Sequence, residues 1–101
     1  MTGDELLRRV NLRARQLGIL GSTRRMLRDW VTEGLEHGPT PRARGRGVPI
    51  YWDWPRLSYW RALEICCLRS QGARRFAQIR LGLWFHGAEF PIPVEIGRAH
   101  V

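Results

Sequence analysis

The sequence predicts a mainly α fold of about four helices, interrupted once by a short basic segment. Three observations predict it. Apolar residues recur at three- and four-residue spacing in four separate windows. Gly18, Gly34 and Gly72 follow three of those windows, where a helix commonly ends. The stretch "HGPTPRARGRGVPIYWDW", residues 37–54, alone has no helical rhythm and is framed by Pro39, Pro41 and Pro49. A chain of 101 residues with 44% apolar content is the size and composition of one small globular domain.

The first helix spans residues 4–17. Leu6, Val10, Ala14 and Leu17 form its apolar face, arginines cover the other, and acidic residues open its first turn. Gly18 ends it. A second helix covers residues 23–33, with Ser22 as candidate N-cap. Met26, Leu27, Trp30 and Val31 make its apolar stripe, and Arg24, Arg25 and Arg28 fall largely elsewhere. Gly34 is the expected left-handed cap, with Leu35 folding back on the last turn. Two helices joined by a short glycine-containing turn form a helix-turn-helix candidate, a pattern shared by many bundles.

Pro55 suits the first turn of a third helix, residues 55–70. Leu57, Trp60, Leu63 and Cys67 are its expected buried side. After Gly72 a fourth helix covers residues 73–85, with Phe76, Ile79, Leu83 and Trp84 inward and Arg74, Arg75 and Arg80 outward. Trp30, Trp60 and Trp84 read as core. Trp52 and Trp54 read as a plug between the basic segment and the third helix, with base stacking as the alternative.

Composition narrows the function. All 17 basic residues are arginine, and the net charge is +8. So basic a chain generally meets a polyanion, of which nucleic acid is the commonest. Arg8, Arg9, Arg56 and Arg61 read as solvated surface charge. Cys66 and Cys67, adjacent on a helix, point about 100° apart and read as structural thiols. His37, His86 and His100 have no ligand spacing with them, so no metal or cofactor is expected. Asp4, Asp29, Glu33, Glu36 and Asp53 pair with no nucleophile or base at a catalytic spacing, which argues against an enzyme. No apolar run approaches the ~18 residues of a membrane span, and no signal peptide is visible. The expected location is the cytoplasm, in association with the nucleoid.

Three stretches, taken in order, resemble the DNA-binding domain of MerR-type transcription regulators over residues 12–84. "STRRMLRDWVTEGL" is similar to that family's recognition helix with its Gly-Leu ending. "GVPIYW" is similar to the end of its wing, and "LEICCLRSQGARRFAQIRLGLW" to its second helix pair. The resemblance implies a winged helix-turn-helix with a short β-hairpin wing at residues 38–52. It implies that the helix at 23–33 enters the major groove of double-stranded DNA. Thr23, Arg24, Arg25 and Arg28 would then face DNA, and Trp30 would touch its backbone. Tyr51 would close the wing, with Arg74 and Arg75 at the helix after the second turn. Pro49 stands where the family carries a wing arginine, leaving phosphate contact to Arg42, Arg44 and Arg46. The implied activity is sequence-specific transcription regulation. An excisionase-like DNA-bending factor and an RNA or single-strand binder are the alternatives.

The family's dimerising helix has no counterpart here, because Gly87, Pro91 and Pro93 break the segment after residue 87. A homodimer would therefore form through a C-terminal region missing from this sequence. Residues 1–87 read as the DNA-binding domain and 88–94 as the start of a truncated segment. Residues 95–101, "EIGRAHV", match one frame of a sequencing-library adapter, GAG ATC GGA AGA GCA CAC GTC, and are expected to be non-native.

Overall fold

A computed structural model of the chain describes residues 1–43 and 45–85. It is mainly helical, with one small antiparallel sheet. The order is α1 (Gly3–Leu17), α2 (Arg24–Thr32), β1 (Thr40–Arg42), β2 (Tyr51–Asp53), α3 (Arg56–Ser70) and α4 (Phe76–Phe85). Arg44, His86, His100 and the expected boundaries at 87 and 94 lie outside the described residues. Among the described residues no helix is long and apolar enough to cross a membrane.

Thr2 caps α1, its hydroxyl accepting from Glu5 N–H at 3.2 Å, a threonine three residues before a glutamate. Leu6, Val10 and Ala14 are buried as their spacing predicts; Leu17, in the last turn, is exposed. α1 and α2 end alike. Gly18 (φ 69°) and Gly34 (φ 74°) adopt the left-handed conformation that only glycine takes without strain. The next residue's N–H then reaches back five residues, Ile19 to Ala14 O at 2.9 Å and Leu35 to Trp30 O at 2.8 Å. Leu35 is thereby turned wholly into the core, as its sequence position suggests.

α3 is the central helix, packing on both α1 and α4. Leu63 is buried and Cys67 half-buried as expected, but the rest of the expected side is turned outward. Ser58, Arg61, Ala62, Ile65 and Cys66 face inward, while Leu57 and Trp60 are exposed. The reason is that α3 carries apolar residues all round, so periodicity alone does not choose a face. Pro55 stands just before the helix, at the N-cap position rather than inside the first turn. α4 begins three residues later than predicted. Gln78 Oε1 accepts from the N–H groups of Arg74 and Arg75 at 3.0 and 3.1 Å, so Gln78 caps the residues that lead into the helix. Ile79 and Leu83 are core, but Phe76 is exposed and Trp84 half-buried.

The turn between α1 and α2 is fastened by Asn11. Its side chain accepts from Ser22 N–H at 2.7 Å and donates to Ser22 O at 3.0 Å. Gly21 makes the clamp possible, since a Cβ there would overlap Asn11 Oδ1. Losing one such half-buried bond leaves polar groups unmatched and costs about 1–2 kcal/mol. Gly21→Ala and Asn11→Ala should each destabilise by that amount in urea titration. Combined, they should cost little more than either alone, because both remove the same clamp.

Candidate nucleic-acid interface

α2 carries the candidate reading residues. Leu27 and Trp30 lie in the core; by the helical period Arg25 falls opposite them, with Arg28 and then Arg24 on the exposed flank that leads back to Leu27. Thr23, not Ser22, is the N-cap: its hydroxyl accepts from Met26 N–H at 3.2 Å. Thr23 therefore positions the helix with the oxygen that was expected to face DNA. Ser22 is buried in the turn, where its hydroxyl donates to Thr23 O.

Trp30 corrects another expectation. It is 2% exposed and packed in the core with Leu6 and Leu35, so it cannot touch a DNA backbone in this fold. The aromatic on this helix is a core residue that anchors α2 to the rest of the fold.

Across from α2 stands the hairpin. β1 and β2 pair antiparallel, with Thr40 opposite Asp53, Pro41 opposite Trp52 and Arg42 opposite Tyr51. Pro41 has no N–H to give, which a two-stranded edge tolerates. Arg42 reaches diagonally to Asp53, Nε to Oδ2 at 3.4 Å. Asp53 also accepts from the Met1 ammonium at 2.6 Å. That hydrogen bond, followed by the charges of Met1 and Arg42, holds the Asp53 carboxyl below its ordinary pKa. Arg46 sits exposed at the tip between Gly45 and Gly47, both at positive φ.

The two tryptophans of this segment separate. Trp54 is half-buried against α1: its N–H donates to Met1 O at 2.7 Å, and its indole Nε1 would lie 3.1 Å from a Cβ on Gly3. Trp52 is 59% exposed on the outer strand. Trp54 packs against the core cluster that holds the buried side of α3, while Trp52 takes no part in the expected plug. Between α2 and the hairpin runs a groove of about 500 Å³, with Arg24, Arg28, Leu27 and Val31 on one side and Tyr51 and Trp52 on the other. Arg25 lies on the outer flank of α2, and Arg74 and Arg75 are exposed at the start of α4, away from the groove lining.

Local pairing modifies the basic character of this surface. Arg24 is ion-paired with Asp4 at the start of α1. Both groups are exposed, so the pair contributes little stability and can exchange for phosphate. Arg80, expected to point outward, donates to Glu33 O at 2.7 Å and so caps the C-terminal end of α2 with positive charge. Arg61, expected on the surface, is buried and donates to Leu35 O at 2.9 Å, pinning the segment that leaves α2. A faint sequence signal for Arg61 exists: the helical period puts it on one face with Ser58, Ala62 and Ile65.

Cys66 is buried and Cys67 half-buried, both as free thiols; burial pushes the Cys66 thiol up to about 11. Among the described residues, no three His, Cys, Asp or Glu side chains come together to hold a metal ion. In comparisons with known proteins, no family model, curated protein or solved structure matches the chain.

Proposed function

We propose that this chain is a winged helix-turn-helix domain of MerR type that binds double-stranded DNA sequence-specifically and regulates transcription. One observation carries the reading: α2 exposes Arg24, Arg25 and Arg28, beside a basic hairpin across an open groove. In this reading α2 lies in the major groove, where Arg25 and Arg28 reach base edges. Arg42 and Arg46 on the hairpin meet phosphate, with Arg24 exchanging Asp4 for the DNA backbone. The net charge of +8 suits a polyanion, and Arg44 adds to the hairpin's charge.

The test is fluorescence anisotropy with a duplex selected from random sequence. Arg25→Ala and Arg28→Ala should each lose about 1–3 kcal/mol on the selected duplex and far less on a scrambled one. Arg46→Ala should weaken both alike and shallow the salt dependence by about one phosphate. If neither α2 variant changes affinity at moderate salt, the assignment is wrong.

The exposure of Trp52 on a hairpin that also carries Arg42 and Arg46 favours a second reading, a single-strand binder that stacks bases on the indole. Competition between duplex and single strand separates them. Preference for the single strand, abolished by Trp52→Ala, would overturn the first reading. A DNA-bending measurement on the selected duplex distinguishes an excisionase-like architectural role from promoter recognition.

A further inference from the structure

On the far side of α1 from the groove lies a second concavity, about 450 Å³, between α1 and α3. Leu12, Tyr59 and Trp60 line it together with Met1 and Gln16, and Arg9, Arg13 and Arg56 supply its side-chain charge. Trp60 is 65% exposed and Leu12 50% exposed, a large indole and an isobutyl group left in water side by side. Tyr59 stands edge-on to Trp60 with ring centroids 5.0 Å apart, which holds the indole in place. Exposed aromatic and aliphatic groups grouped this way mark contact surfaces, and Trp and Arg are the residues most enriched in their energetic centres.

We propose that this α1–α3 face docks an acidic amphipathic helix of a partner protein. The walls are two helices, so a third can lie between them with its apolar stripe on Leu12 and Trp60. No acidic side chain lines the concavity. Glu5, one turn away, is already held by Arg9 at 2.6 Å. Among the described residues no carboxylate pairs with Arg13 or Arg56, so the incoming helix supplies the carboxylates. A nucleic acid would satisfy those arginines but would leave Leu12 exposed. A second copy of this chain also carries +8 and brings repulsion rather than complementary charge.

The face shares no residue with the groove beside α2. On α1, Leu12, Arg9 and Arg13 centre roughly 130° around the helix from Asp4, which lines that groove. A partner on this face and a duplex on α2 can therefore be held together.

The probe is a fluorescein-labelled peptide of about 18 residues, five helical turns. It carries leucines at i, i+3, i+4 and i+7 and flanking glutamates. A second peptide keeps the leucines and replaces each glutamate with lysine. Both are titrated with the full chain, free and with duplex present. The glutamate peptide should bind in the micromolar range, as expected for a small interface, and the lysine peptide at least about tenfold more weakly. Trp60→Ala and Arg13→Glu should each weaken the glutamate peptide about tenfold, and Arg25→Glu on α2 should not. Trp60 and Arg13 are exposed, so both variants should keep the wild-type melting temperature. Three results would overturn the proposal. One is equal binding of the two peptides, or indifference to both substitutions on this face. Another is loss of duplex affinity in Arg13→Glu with peptide binding intact, which would assign the face to nucleic acid. The third is self-association of the wild type that Trp60→Ala abolishes, which would assign it to a second copy. The free-chain titration stands whether or not duplex binds, so failure here is distinct from failure of the DNA reading.

Discussion

Trp30→Ala is expected to destabilise the fold by about 3–5 kcal/mol, the cost of emptying a fully packed indole site. A small domain has only ~5–15 kcal/mol in total, so this variant should populate the unfolded state at ordinary temperature. The size of the effect follows from position. Trp30 is 2% exposed and shares a core with Leu6, Leu27, Leu35 and Ile65. Its carbonyl also accepts from Leu35 N–H at the glycine closure of α2, so packing and capping meet at one residue. Trp30→Phe keeps most of the buried area. It should cost about 1–2 kcal/mol and leave the affinity for duplex unchanged. Urea denaturation of both variants and anisotropy with the phenylalanine variant check this. A native-like Trp30→Ala protein, or a Trp30→Phe protein that folds normally and loses duplex binding, would return Trp30 to the interface.

Where a helix has one apolar stripe, the sequence could be read directly. Leu6, Val10 and Ala14 of α1, and Leu27 and Trp30 of α2, are buried as their spacing implies. The outward placement of Arg24, Arg25 and Arg28 follows from the same period. Proline and glycine mark residues 37–54 only as non-helical; the hairpin there is implied by the family resemblance, and its strands are Thr40–Arg42 and Tyr51–Asp53. α3 was not legible in this way. Its apolar residues surround the axis, and the choice of face falls to the fit against α1 and α4. Trp60 consequently lies outside and Arg61 inside, the reverse of what hydrophobicity suggests for either. Pairing distant in sequence was equally hidden. Asp4 with Arg24, Asp53 with Arg42 and Trp54 with Gly3 join segments that no local pattern relates. These contacts decide which arginines of the candidate interface are already occupied.

The second large effect concerns Glu36, which leaves α2 just after the glycine closure and is 1% exposed. Its Oε1 accepts from His37 N–H at 2.8 Å, while Oε2 is buried and has no hydrogen-bond partner among the described residues. Burial raises its pKa from 4.5 to about 9, against the opposing pull of the His37 N–H and the nearby Arg61 guanidinium. The group is therefore a neutral acid in the folded protein at pH 7 and an ionised one in the unfolded chain. Below pH 4.5 both states hold the proton, and Glu36 sets no pH dependence. Between 4.5 and about 9 only the folded state holds it, so stability falls as pH rises; above 9 both are ionised and the loss is complete. At pH 7 the accumulated loss is on the order of 3 kcal/mol relative to acid. Glu36→Gln retains an acceptor for His37 N–H and cannot ionise. It should gain most of that stability at neutral pH and stay level with the wild type near pH 4. Urea midpoints of the two proteins from pH 4 to 9 test this, and parallel profiles would show that Glu36 does not carry the dependence. Ser58, whose hydroxyl donates to His37 O at 2.9 Å, and Arg61, which holds Leu35 O, tie the same turn to α3. Ionisation of Glu36 thus acts on the joint between α2 and the hairpin, and under the proposed DNA-binding function the wild type's affinity for duplex should decline toward pH 9 more steeply than that of Glu36→Gln.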